Sequence, residues 1–143
     1  MASYCSMSSL VPDVSPNLKL IALDEADLAV ISTHVQDARV RICDIIWRQR
    51  DKRLVIGMSR LDWEQTLAGE TAPRRLAAAL RFDRVLSLRS RAIDLAAPET
   101  LLELVGIEFC PDADPSGCAL LLFSNGAALQ LELECLECEL TDL

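Results

Sequence analysis

The chain has 143 residues and a mass of 15.8 kDa, is 51% apolar and 25% charged, and carries six cysteines, one histidine and a formal net charge of −8. A chain of this mass buries about 68% of the surface its unfolded form exposes, enough for one self-sufficient core, and a mean hydropathy of +0.24 excludes disorder by polarity. No apolar run approaches the roughly 20 residues that cross a bilayer, so no membrane segment is expected.

Residues 1–17, MASYCSMSSLVPDVSPN, hold five serines, two prolines and no base, and read as a mobile arm without a secretory pattern. A single domain is expected over 18–143. Lys19 to Leu23 is a short apolar strand, and Asp24 stands at the N-cap of a helix, with Glu25 and Asp27 in its first turn. Leu28, Ile31, Val35 and Ala38 follow at spacings of three and four, which predicts an amphipathic helix of about 13 residues.

From Val40 the pattern changes to short strands. Val40 to Trp47 and Leu54 to Trp63 flank the charged turn Arg48 to Arg53, and Leu54, Ile56 and Met58 alternate with Val55, Gly57 and Ser59 as a hairpin requires. Gln65 to Pro73 reads as a loop. Leu80, Phe82, Leu86 and Leu88 share one parity, and the exceptions at Arg84 and Val85 point to a bulge or turn near Asp83. Val105, Ile107 and Phe109 form one face of a further strand. Pro111 to Gly117 is a turn, Cys118 to Phe123 a strand, and Asn125-Gly126 a strong hairpin signal. Leu129, Leu131, Leu133 and Cys135 alternate with polar residues, after which 136–143 fits either a strand of flipped parity or a helix. The class is therefore α+β: a mainly antiparallel, strongly curved or barrel-like sheet of about seven strands with one early amphipathic helix.

The charge is unevenly divided. Residues 1–38 carry −4, residues 39–91 carry +7 from thirteen bases and six acids, and residues 92–143 carry −11 with no base; twelve of the fourteen bases are arginine. The simplest account places basic strands beside acidic strands as cross-strand ion pairs. Two others remain: contact between chains, as a homodimer or with a protein partner, and a basic face for phosphate or RNA.

Catalytic patterns are scarce. His34, the one histidine, lies on the predicted helix, and no G-x-S-x-G elbow or glycine-rich phosphate cradle exists. Cys135-x-x-Cys138 lacks two further ligands at zinc spacing, so the cysteines read as reduced, buried small hydrophobes of a cytoplasmic protein, with no metal and no cofactor expected. A carboxylate-metal hydrolase around Asp62, Glu64 and Asp83 is the weakest alternative, because Arg60, Arg81 and Arg84 lie close by in sequence. The sharpest feature is RQRDKR, Arg48 to Arg53, bracketed by Trp47 and Trp63. The candidate binding residues are accordingly Trp47, Arg48, Arg50, Lys52, Arg53, Arg60, Trp63, Arg81 and Arg84. The leading function is a non-catalytic interaction or scaffold protein that binds a protein partner or itself; the alternative is RNA or phosphate binding through the arginine-rich middle.

The segments LKLIALDEADLAVIS (18–32), RQRDKRLVIGMSRLDWE (48–64), LRFDRVLSLRSRAID (80–94), IEFCPD (107–112) and LELECLECELTDL (131–143) resemble an uncharacterised family of small single-domain proteobacterial proteins, a domain of unknown function. R-x-D-W-E and R-F-D-R-V-L-S are its most specific stretches. The resemblance implies a stand-alone cytoplasmic protein but brings no activity, cofactor or catalytic residue; Cys43, Cys110 and Cys138 look peculiar to this member.

Overall fold

A computed structural model describes residues 18–63 and 74–143. The predicted arm at 1–17, Glu64 and the predicted loop at 65–73 lie outside the described residues.

Ten strands and a single fully described helix follow in the order β1 (Lys19–Ala22), α1 (Glu25–His34), β2 (Arg39–Arg41), β3 (Ile45–Arg48), β4 (Arg53–Leu61), β5 (Arg75–Phe82), β6 (Val85–Arg91), β7 (Leu101–Pro111), β8 (Gly117–Phe123), β9 (Ala128–Leu133) and β10 (Cys138–Asp142). Their order across the sheet is β1-β10-β5-β4-β2-β7-β8-β9-β6, with β3 also paired to β4, and every pair is antiparallel. The expected class holds, but the strands number ten rather than seven. The path is open, with β1 and β6 at its ends, so the barrel-like alternative is corrected to an unclosed sheet.

Asp24 caps α1, its side chain accepting a hydrogen bond from the Asp27 amide at 2.8 Å, which satisfies one of the free first-turn donors. The helix is 10 residues long rather than about 13. Val35 is its C-cap and Asp37 takes a left-handed φ of 64°, yet Val35 and Ala38 remain fully buried with Leu28 and Ile31. The apolar spacing thus marked a core-facing stretch that runs on past the helix into its closing turn. Ser32 fastens this helix to the sheet by accepting from the Ile107 amide at 3.0 Å.

Three local breaks multiply the strands. A single 3₁₀ turn over Ile42–Asp44 splits the predicted Val40–Trp47 strand into β2 and β3. Arg84, at a φ of 62°, ends β5 and starts β6, where the sequence predicts a turn; a register shift between Val85 and Ser87 then buries Val85 and leaves Leu86 about half exposed. In β7 a second shift, between Leu104 and Gly106, moves the buried face from Leu102 and Leu104 to Ile107, leaving Val105 exposed against expectation. The Asn125-Gly126 hairpin forms as predicted, both residues at positive φ, closed by the Phe123 amide donating to the Ala127 carbonyl at 2.9 Å. Residues 138–142 are strand, which resolves the ambiguous tail.

One core cluster joins α1 to both halves of the sheet, through Leu28 and Ile31 of α1, Leu54, Ile56, Leu80 and Phe82 on β4 and β5, and Leu121 and Leu131 on β8 and β9. At about 1.5–3 kcal/mol for each fully buried large aliphatic or aromatic side chain, this cluster is what holds the fold.

Candidate interaction surface

Strand parity decides which arginines can meet a ligand. On β4, Leu54, Ile56 and Met58 face inward, and Arg60 continues the same parity; it is 1% exposed. Asp142 does the same on β10, after Cys138 and Leu140. The two meet as a buried bidentate pair, Arg60 Nε to Asp142 Oδ1 and Arg60 Nη2 to Asp142 Oδ2, both at 2.8 Å, while Arg60 Nη1 donates to the Leu61 carbonyl at 3.0 Å. Arg60 is therefore removed from the binding set: it is enclosed by the protein and cannot touch RNA or a partner.

The solvent face of the same strands carries an alternating row of charges. Arg53 Nε donates to Asp83 Oδ1 at 2.7 Å, Arg81 Nε to Asp83 Oδ2 at 3.1 Å, Arg81 Nη2 to Glu139 Oε1, and Lys19 Nζ lies 3.2 Å from Glu139 Oε2. The chain of contacts crosses β4, β5, β10 and β1. Arg81 and Glu139 stand directly opposite each other in the β5–β10 ladder, so basic middle strands do lie beside acidic late ones. Arg84 reaches Glu137 at 3.5 Å and Glu134 at 4.0 Å. The hydrogen bond and charge of Asp83 raise the Arg53 pKa further, and those of Asp44 do the same for Arg41. Burial instead lowers that of Arg75, whose guanidinium donates to the Ser59 and Asp37 carbonyls.

What remains is the hairpin tip. Asp51 N–H donates to the Arg48 carbonyl at 3.2 Å and Lys52 N–H to the Gln49 carbonyl at 3.2 Å, which closes the β3–β4 turn. Arg48 stands opposite Arg53, a like-charge pairing that costs stability unless acids intervene, and of these two only Arg53 is paired with Asp83. Arg48, Arg50 and Lys52 are exposed and form no ion pair among the described residues. Between this tip and the charged row lies a shallow hollow of about 440 Å³, walled by Arg48, Asp51, Arg53, Arg81 and Glu139 and floored by Val55, Ala79 and Thr141.

The tryptophans do not frame the tip. Trp47 is half-buried against the core beside it, whereas Trp63 lies past the far end of β4, whose run from Leu54 to Leu61 is about 23 Å at strand rise; among the described residues its buried indole N–H has no hydrogen-bond partner. The length of β4 also separates the proposed metal carboxylates. Asp62 is buried and paired with Arg74 at 2.8 Å at one end of β4, while Asp83 sits at the other, so the two cannot share an ion. No metal-binding cluster of three or more His, Cys, Asp or Glu occurs among the described residues. His34 Nδ1 lies 3.0 Å from the Val30 carbonyl on α1.

The cysteines are less buried than expected. Among the described cysteines only Cys138 is enclosed, where burial pushes its thiol pKa up; Cys43 and Cys110 are exposed, and Cys118 and Cys135 are half-buried. Among the described residues no helix is long and apolar enough to cross a membrane.

A family model described as a protein of unknown function (DUF2948) matches residues 18–143. The chain belongs to the DUF2948 family. Comparison with curated proteins found no match, and comparison with solved structures found none. The DUF2948 match covers every described element, from β1 to β10.

Proposed function

We propose that this DUF2948 domain is a non-catalytic interaction module that grips an acidic surface of a protein partner through its β3–β4 tip. The observation that carries the reading is the contrast among its bases. Arg53, Arg60, Arg81 and Arg84 are engaged by the protein's own acids, whereas Arg48, Arg50 and Lys52 crowd one exposed turn with no such partner among the described residues. Concentrated like charge costs stability by itself and is offset when an opposite charge docks. A protein partner is favoured over RNA because single-stranded RNA is held by stacking aromatics, and the one tryptophan beside the tip packs on the core. Cytoplasmic residence belongs to the same proposal, supported by the free state of the described cysteines.

The test is an amide chemical-shift titration of the full chain with an Asp/Glu-rich decapeptide, a neutral decapeptide and a single-stranded RNA decamer. The acidic peptide should move the 48–53 amides, and the combined R48E, R50E, K52E change should abolish the shifts. Movement with RNA alone, with log affinity falling about 0.7 per phosphate per log unit of salt, would replace this reading with nucleic-acid binding. Tip shifts that depend on protein concentration without any peptide would replace it with self-association.

A further inference from the structure

We propose that Cys110 and Cys118 are a redox-active pair that closes a reversible disulfide across the β7–β8 ladder. Cys110 and Cys118 are register partners. The Ile107 amide turns away from β8 to donate to Ser32 Oγ at 3.0 Å, so by strand alternation the amide and carbonyl of Cys110 turn toward β8. Residues that exchange both backbone bonds in this way hold their Cα atoms about 5.5 Å apart, inside the 4.4–6.8 Å that a disulfide spans. Both thiols project to the solvent side of the sheet, because their neighbour Ala119 faces the core, fully buried; Cys110 is exposed and Cys118 half-buried. The ladder keeps the two sulfurs close, so a second, intramolecular step outruns any attack from solution.

The oxidant is a small-molecule disulfide of the glutathione class. The thiolate of exposed Cys110 attacks one of its sulfurs, forming a mixed disulfide and releasing one small thiolate. The thiolate of Cys118 then attacks the Cys110 sulfur, the Cys110–Cys118 bond forms, and the second small thiolate leaves. The protein gives up two protons and two electrons; the small disulfide takes both and departs as two thiols.

The full chain is incubated with oxidised glutathione, its remaining thiols are alkylated, and the digest is weighed. The six titratable thiols should fall to four, with one bridged species joining Cys110 to Cys118, and excess reduced glutathione should restore all six. Cys118→Ser should trap a stable glutathione adduct on Cys110, and Cys43→Ser should leave the bridge unchanged. A bridge to Cys43 or Cys135, a bridge between chains, or adducts on both cysteines that never resolve into a bridge would overturn the assignment.

Discussion

Replacing Asp142 by Leu should unfold this protein far more readily than removal of any surface charge. The substitution takes away both carboxylate oxygens that Arg60 holds at 2.8 Å and leaves a guanidinium, 1% exposed, among apolar neighbours. Breaking one side of such a pair costs about 3–5 kcal/mol, since the remaining charge keeps its desolvation penalty and loses the bidentate carboxylate. With an unfolding entropy of about 2.1 cal/mol/K per residue, that is a drop in Tm of roughly 10–17 °C. Arg60→Met alone should cost a similar amount. The double variant replaces the pair with apolar side chains, and it should recover much of the loss, giving a coupling energy of about 2–4 kcal/mol in the cycle. Urea unfolding followed by tryptophan fluorescence supplies all four stabilities. Additive single effects, or singles costing under about 1 kcal/mol, would refute the claim that Arg60 depends on Asp142 for its place in the core.

Two further outcomes follow from burial and close packing. Cys138 stays protonated in the folded chain well past the point, near pH 8.5, at which an unfolded thiol ionises, so the folded state binds the extra proton and stability must fall as pH rises. By pH 10 the loss should reach about 2 kcal/mol; Cys138→Ala should remove that part of the slope in urea titrations at pH 7–10, and parallel curves for the two proteins would contradict it. Gly117→Ala would place a Cβ 2.5 Å from Phe109 Cζ and 2.9 Å from the Cys110 carbonyl oxygen. The ring can swing but the backbone cannot, so the urea midpoint should fall by an amount equivalent to about 1–3 kcal/mol, and an unchanged midpoint would show that the hairpin yields freely.

Much of the local structure was legible because it rests on short-range chemistry: the Asp24 cap, the turn at Arg48–Arg53, Asn125-Gly126, and the break at Asp83-Arg84. The errors arise where tertiary packing overrides periodicity. Val105 kept its predicted parity until the bulge at Leu104/Gly106 turned it outward, and the β2–β3 break comes from a 3₁₀ turn that no glycine or proline marks. Arg60 was readable and was missed. It continues the inward parity of Leu54, Ile56 and Met58, and Asp142 continues that of Leu140, so two charges of opposite sign each falling on a core face were the available signal. That Arg81 and Lys19 would share Glu139 was not readable, because it depends on β10 lying between β1 and β5, a pairing across more than fifty residues.

That placement of β10 has a consequence for how the molecule comes into being. Among the described residues β1 precedes every other strand in sequence and β10 follows every other one, yet β1 pairs there with β10 alone. Asp142, on β10, is also the counter-ion of Arg60. During synthesis β1 therefore emerges well before the strand it pairs with, and Arg60 well before Asp142. A nascent chain halted just short of Cys138 would retain most of its apolar residues but neither its closing strand nor its buried counter-charge. The β1–β10 contact, spanning more than a hundred residues, is therefore the kind of long-range pairing that forms late in folding.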